Sequence, residues 1–428
     1  MATHEFRAAL DSLLRNLGRQ GEGPLALGVS GGSDSMALLR LVHEAYPGRR
    51  IAALTVDHEL REGSAHEAAQ VGEWCRTLGV SHRVLRWEGE KPTTGLQRRA
   101  RAARYALLAQ AAAQLGDNGI AAPLLVAHTR DDQAETFLLR LAHGSDIGGL
   151  GAMRAASEIA FVPPVPLLRP LLGFARESLR ATLKARGQPW IDDPSNDDTR
   201  FERIRIRKLM PVLGEAGLPG ESLARASALM ARIDRLLIDQ ALAACSCKIA
   251  PEGSASFETR AFAALPARAA ERLLSYLIRL VGGEAYPPAR ASLRTLADQL
   301  KHPEARGATL GGCRIKRERV LWVIEREARA ASRAAVVSLA DGGTTLWDNR
   351  FWLRLPAGFG AAEITAKGGG PVIVGGEGRV DPPAIAASAE AFREMRAGPV
   401  ALFVGEARLK GETGRLWAQV VTHSPARM

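Results

Sequence analysis

From Pro24 to about Ala142 the chain alternates short apolar runs with stretches of helical spacing. Leu25–Val29, Ile51–Val56, His82–Trp87 and Leu124–Ala127 read as strands, and helical patterns begin near Met36, Ser64 and Leu96 and again after Asp131. Such alternation predicts an α/β fold, a parallel sheet with helices on both faces. Loops at the carboxyl ends of parallel strands open into one crevice, so residues after the first, second and fourth strands are expected to face a common ligand. Ahead of the first strand, Phe6, Leu10, Leu13, Leu14 and Leu17 mark one side of an amphipathic helix. Its mixture of Glu5 and Asp11 with Arg7 and Arg15 suits neither a signal peptide nor an acid-poor transit peptide.

The pattern changes further along. Between Gly144 and Pro170 closely spaced glycines and prolines predict a loop region. Leu171 to Arg186 recovers helical spacing, an Asp-Pro-Ser-Asn turn is expected at 193–196, and Pro211 to Pro219 reads as a linker. From Glu221, Leu223, Ala226, Met230, Ile233 and Leu237 recur at spacings of three and four, one face of a long helix. Further helices are expected around Glu271–Val281 and Ala289–Leu300, and a hairpin over Cys313–Glu325. Past Gly342-Gly343, Asp348-Asn349 lies between bulky strand formers and signals a second hairpin. Three units follow: residues 1–215, a mainly helical 216–335, and a small β-rich or α+β unit over 336–428.

The candidate chemistry begins where the first strand ends. Ser30-Gly31-Gly32-Ser33-Asp34-Ser35 joins it directly to a helix starting at Met36. Paired glycines allow a sharp turn, so successive N–H groups can converge on an anion at the positive helix end, with serine hydroxyls beside them. The loop lacks the Lys-Ser/Thr end of the nucleoside-triphosphatase loop and the spaced glycines of the dinucleotide fingerprint. Three more segments share the strand-end setting or the basic character: Val56-Asp57-His58-Glu59-Leu60-Arg61, Ala127-His128-Thr129-Arg130-Asp131-Asp132-Gln133-Ala134-Glu135-Thr136, and Trp190 to Asp197 leading into the basic run Arg200 to Lys208. Asp132 and Glu135, three apart at a helix start, share a face. Arg101 and Arg104 likewise share a face, before Tyr105.

In this order the four segments resemble the tRNA(Ile)-lysidine synthases, long-form members of the PP-loop ATP pyrophosphatases. The resemblance implies ligation of free L-lysine to C2 of the wobble cytidine in the isoleucine tRNA with a CAU anticodon, at the expense of ATP. Residues 1–215 would be catalytic, with 216–335 and 336–428 binding tRNA. Carried over residue by residue, Ser30, Gly31, Gly32, Ser33, Asp34 and Ser35 would hold ATP, with Val56 at the adenine and Arg101 and His128 nearby. Asp34, Asp132, Glu135 and Arg101 would be catalytic, Asp132 and Glu135 also binding lysine, and Asp34 and Asp131 holding Mg²⁺. Arg104, Arg200, Arg203, Arg205, Arg207 and Lys208 would grip tRNA. Thr129 stands where the family usually has a second histidine, and Ile204 where it commonly has asparagine.

Composition narrows the alternatives. A net charge of +11 and a pI near 10.0 suit a polyanionic partner. The four cysteines, at 75, 245, 247 and 313, are too scattered for a disulfide framework and imply a reducing cytoplasm. No apolar run approaches a membrane span. A PP-loop tRNA thiolase is the enzymatic rival, but the chain has no Cys-x-x-Cys; a non-catalytic ATP-dependent tRNA-binding module is the other, and an amidating ligase would need a glutaminase half. Pairing into a homodimer is left open.

Overall fold

The computed structural model describes residues 3–17, 23–59, 63–89, 91, 95–117, 121–151, 153–159, 165–192, 199–250, 253–284, 287–334, 336–340, 344–348, 351–354, 361–367, 370–375, 378–380, 406–408 and 415–417. The expected turn at 193–196 and the tip of the second hairpin at 349–350 lie outside them. The chain divides into two compact units, residues 1–232 and 233–427.

In the first unit α1 (Thr3–Asn16) precedes β1 (Leu25–Gly28), α2 (Ser33–Ala45), β2 (Ile51–Asp57), α3 (Ser64–Thr77), β3 (Ser81–Arg86), α4 (Leu96–Leu115) and β4 (Leu124–Leu125). Next come α5 (Arg130–Ala142), α6 (Ile147–Leu150), β5 (Ala156–Ile159), β6 (Val165–Leu168), α7 (Arg176–Ala185), α8 (Glu202–Glu215) and α9 (Gly220–Ala244), which runs past the boundary. The sheet order is β3-β2-β1-β4-β6-β5, with β5 antiparallel and the other neighbours parallel.

Side chains alternate across that sheet, as strand geometry requires. Leu25, Leu27, Ile51 and Leu125 join a core with buried residues of α1, α2, α3 and α7, whereas Ala26, Leu54 and Leu124 pack into a second core with Leu108, Ala109 and Ala112 of α4. Both faces are thus covered, which is why the central strands read as continuous apolar runs. A third, small cluster joins Ala134 and Phe137 of α5 to Leu223 of α9, with Met210 of α8 beside it.

Two readings of the chain need correction. The expected loop between Gly144 and Pro170 contains α6 and the β5–β6 pair, because Val165, Leu167 and Leu168 bury apolar side chains against the sheet despite their proline neighbours. Pro211 does not begin a linker but lies inside α8, which continues to Glu215. Proline removes one N–H bond without ending a helix whose other contacts hold it.

The second unit opens with β7 (Lys248–Ile249), β8 (Ala255–Glu258), α10 (Thr259–Ala264), α11 (Ala267–Gly282), α12 (Arg290–Lys301), β9 (Gly307–Leu310), β10 (Cys313–Glu318) and β11 (Leu321–Arg326). Those strands form an antiparallel sheet in the order β7-β8-β11-β10-β9. α11 lays Leu273, Leu274, Leu277 and Ile278 into a core that includes fully buried Phe257 and Trp322. The expected hairpin is β10–β11. After α13 (Ala328–Ala331) come β12 (Val337–Leu339), then β13 (Thr344–Trp347) paired with β14 (Phe351–Arg354), and further short antiparallel strands.

Candidate active site

β1 lies between β2 and β4, and loops from the ends of all three supply the chemistry. The Ser30–Ser35 loop leaves β1 with Gly31 at φ +87°, and a Cβ there would come within 2.7 Å of the Ile191 Cδ1 and 3.0 Å of Val71 Cγ2. The Gly31 carbonyl accepts the Ile191 N–H at 2.9 Å, so close approach and backbone conformation both demand glycine. At Gly32 a Cβ would meet only the Ser30 Oγ at 3.7 Å. The Ser35 hydroxyl, buried, donates to the Gly32 carbonyl at 2.9 Å and accepts the Ser30 N–H at 3.2 Å; it braces the loop from inside. The first N–H groups of α2 have no intrahelical acceptor, and with the helix dipole they make an anion cradle.

Asp34 does not cap α2. Its carboxylate accepts from the Arg176 Nε at 3.0 Å. Arg176, the first residue of α7, donates Nη2 to Asp132 Oδ1 and Nη1 to Glu135 Oε1, each at 3.2 Å, while its backbone N–H reaches Asp131 Oδ2 at 2.8 Å. One guanidinium therefore ties the phosphate loop to Asp132 and Glu135, and the backbone of the same residue holds Asp131. Its pKa is raised: burial lowers it, but the carboxylates of Asp132, Asp34 and Glu135 prevail.

Thr129 begins α5 as half of a capping box, its N–H and hydroxyl both donating to Asp132 Oδ2 at 2.8 Å. That is the structural service at the position where the family usually has histidine. α8 then brings two more cations. Arg203 gives Nη2 to Asp132 Oδ1 and Nε to Glu135 Oε2, both at 2.8 Å, and Arg207 gives Nε to Glu135 Oε1 at 2.8 Å and Nη2 to Oε2 at 3.3 Å. Burial acts to raise both carboxyl pKa values, but the arginines, joined at Asp132 by the Thr129 donors, outweigh it and leave Asp132 and Glu135 below the usual range. Asp34 behaves oppositely. Its burial exceeds what Arg176 returns, and negative Asp132 and Asp131 add to the upward shift.

The other side of the crevice carries positive charge. Arg101 and Arg104 both lie over the Tyr105 ring, at 5.2 and 5.3 Å from its centroid. Together with Arg169 they act on His128, whose pKa falls to about 3, first through burial. The imidazole is neutral at ordinary pH. Buried nitrogen atoms without a hydrogen-bond partner gather here: His58 Nδ1, Arg104 Nε, His128 Nδ1 and Arg169 Nε. Val56, on β2, is half-buried against the core under α4.

The structure thus brings Asp34, Asp131, Asp132 and Glu135 together and adds Arg203 and Arg207 to them. Arg200, Arg205 and Lys208 do not join that cluster; all three are exposed, and Arg205 donates to the carbonyls of Thr199 and Arg200. Arg176 and Arg180 were not singled out by their sequence context. Arg180, one turn on, reaches the Ser33 Oγ at 3.3 Å with its Nε, so the i,i+4 pair at the start of α7 was the available signal. Among the described residues no group of three or more His, Cys, Asp or Glu side chains is arranged to hold a metal.

The chain is similar in sequence to known proteins. A family model described as a PP-loop domain matches residues 2–213. A tRNA(Ile)-lysidine synthase from Hyphomonas neptunium is 39% identical, covering 78% of this chain and 91% of that protein. Those from Bradyrhizobium sp. BTAi1, at 44% over 68% of this chain and 82% of the relative, and from Ruegeria pomeroyi, at 38% over 78% and 77%, are similarly close. With relatives of 38–44% identity matching most of its length and a PP-loop domain model over residues 2–213, the chain belongs to the tRNA(Ile)-lysidine synthase family.

Proposed function

We propose that this enzyme joins free L-lysine to C2 of the wobble cytidine of the CAU-anticodon isoleucine tRNA, using ATP and releasing AMP and pyrophosphate. The observation that carries the reading is the meeting of an anion-binding loop with a buried carboxylate pair in one crevice, through Arg176. In the first step the cytidine O2 attacks the α-phosphorus of ATP and the bond to pyrophosphate breaks. Preorganised donors aimed at the departing charge favour that step. The N–H groups at Gly31 to Ser33 and the hydroxyls of Ser30 and Ser33 supply them, with Ser35 holding the loop's shape, and Arg180 stands beside the cradle.

Asp34 and Asp131 would hold Mg²⁺, which when bound offsets charge on the phosphates. The fit rests on Asp34, an acid whose burial and acidic neighbours leave it short of positive charge. On the opposite side Arg101, Arg104 and the neutral His128, with Val56 behind them, suit the nucleotide: their unpartnered nitrogens are donors and acceptors for base, ribose or phosphate oxygen.

In the second step the lysine amine attacks C2 and AMP departs. A free lysine amine has a pKa of about 10.4, so it arrives as an ammonium, which Asp132 and Glu135 recognise. Exposed Arg200, Arg205 and Lys208 take tRNA phosphates, and residues 216–335 and 336–428 extend that grip. The partners are then tRNA(Ile), L-lysine and ATP, and the compartment the cytoplasm. No described helix is long and apolar enough to cross a membrane. The thiolase reading gains little from the cysteines: Cys75, Cys245 and Cys313 are buried, and burial pushes up the thiol pKa of half-buried Cys247. Mass spectrometry of isoleucine tRNA incubated with enzyme, ATP and isotopically labelled lysine tests the proposal. The anticodon fragment should gain one lysine less one water; an unmodified or sulfur-bearing fragment contradicts it.

A further inference from the structure

Asp132 and Glu135 are saturated. Each ionised carboxylate offers about four lone-pair positions. Asp132 Oδ2 receives two donors from Thr129, and Oδ1 receives Arg176 and Arg203. Glu135 Oε1 receives Arg176 and Arg207, and Oε2 receives Arg203 and Arg207. Every position is taken, so an incoming ammonium with its three donors finds no acceptor until a guanidinium leaves.

The three arginines are not equally free to go. Arg176 has a side-chain exposure of 17% and is also bound to Asp34. Arg203 and Arg207 are 36% and 31% exposed and sit i,i+4 on α8, so one displacement of that helix withdraws both. Their departure frees one position on Asp132 Oδ1, one on Glu135 Oε1 and two on Oε2, enough for an ammonium. The exchange replaces two cations with one, while Arg176 stays on both carboxylates. What it requires is another anion to receive the arginines, and guanidiniums pair well with phosphate.

We propose that Arg203 and Arg207 occupy the place of the substrate's ammonium in the resting enzyme, and that the tRNA backbone draws them off Asp132 and Glu135 so that lysine enters only beside bound tRNA. This rests on the reading of that carboxylate pair as the lysine site. α8 is then both a phosphate grip and a plug, and lysine and tRNA bind with positive coupling, each strengthening the other.

The test is equilibrium dialysis of radiolabelled L-lysine with the full-length enzyme, with and without tRNA(Ile) transcript. Arg207→Met leaves Glu135 paired to Arg176 and Arg203 while freeing one position on each of its oxygens. It should bind lysine at least tenfold more tightly than wild type without tRNA, and tRNA should add less than it adds to wild type. Arg207→Lys, which keeps a cation in place, should stay within threefold of wild type. Arg203→Met serves as the second reading, by the same criterion, if Arg207→Met loses its helical circular dichroism. A gain below tenfold, or an equal tRNA effect in variant and wild type, overturns the proposal. If wild type forms lysidine while the variants gain nothing, this inference alone fails; if wild type attaches no lysine to tRNA, the functional reading beneath it fails.

Discussion

The two sides of the crevice differ in how completely the protein satisfies them. Around Glu135 every carboxylate oxygen is bonded, by guanidiniums from α7 and α8. Around His128, buried nitrogens on His58, Arg104, His128 and Arg169 have no partner. Buried polar atoms are ordinarily paired, so an unpaired group points to a ligand that completes it. The saturated side carries the opposite lesson: it is stable as it stands, and substrate must compete with the protein's own cations.

Removing the hub of the saturated side should cost most. Glu135 is 1% exposed, and Glu135→Ala takes the carboxylate from Arg207 and one partner each from Arg176 and Arg203, so a loss of about 3–5 kcal/mol is expected in urea denaturation. Arg104→Ala, on the unsatisfied side, should cost a small fraction of that. Equal losses would erase the contrast.

The phosphate loop between the two sides comes next. Gly31→Ala places a methyl against Ile191 at a φ of +87° and should lower tRNA-dependent pyrophosphate exchange by about 10²–10³-fold. Gly32→Ala, with open space in front of it, should lose far less. The ratio of the two exchange rates measures how much of the cradle is backbone shape.

His128 gives a smaller, pH-dependent effect. Its folded pKa, about 3, lies below the unfolded value of about 6.5. Between those limits the unfolded chain binds a proton that the folded one does not, so stability falls as pH drops from about 6.5 toward 3. His128→Gln should flatten that limb in denaturation midpoints measured between pH 7 and pH 4, and an unaltered slope would show that the imidazole charges in place. Smallest is the exposed part of α8: Arg205→Ala with Lys208→Ala should reduce the slope of log affinity against log salt for tRNA by about 1.5, read by filter binding.

Much of the fold was legible because its signals are local. The apolar runs of β1, β2, β3 and β4 and the turn at Gly31-Gly32 follow from residue types a few positions apart. The β5–β6 pair was hidden by Pro163, Pro164 and Pro166, since its stability comes from the sheet it joins, not from its own composition. At the site, Asp132 and Glu135 were visible as a helical pair. Arg176 was not: among 57 lysines and arginines a single arginine has no signature until α7 is folded against α5. Nor could the basic run after Thr199 reveal that Arg203 and Arg207 turn inward while Arg205 and Lys208 face solvent, because the division depends on how α8 meets α5.

In the proposed reaction the loop after β1 releases pyrophosphate by transferring AMP to a tRNA base before lysine reacts. Exchange of labelled pyrophosphate into ATP, with wild-type enzyme, Mg²⁺ and tRNA(Ile) transcript and no lysine, tests it most directly. Exchange should appear with the transcript and vanish without it. Exchange that requires lysine, or proceeds without tRNA, contradicts the account.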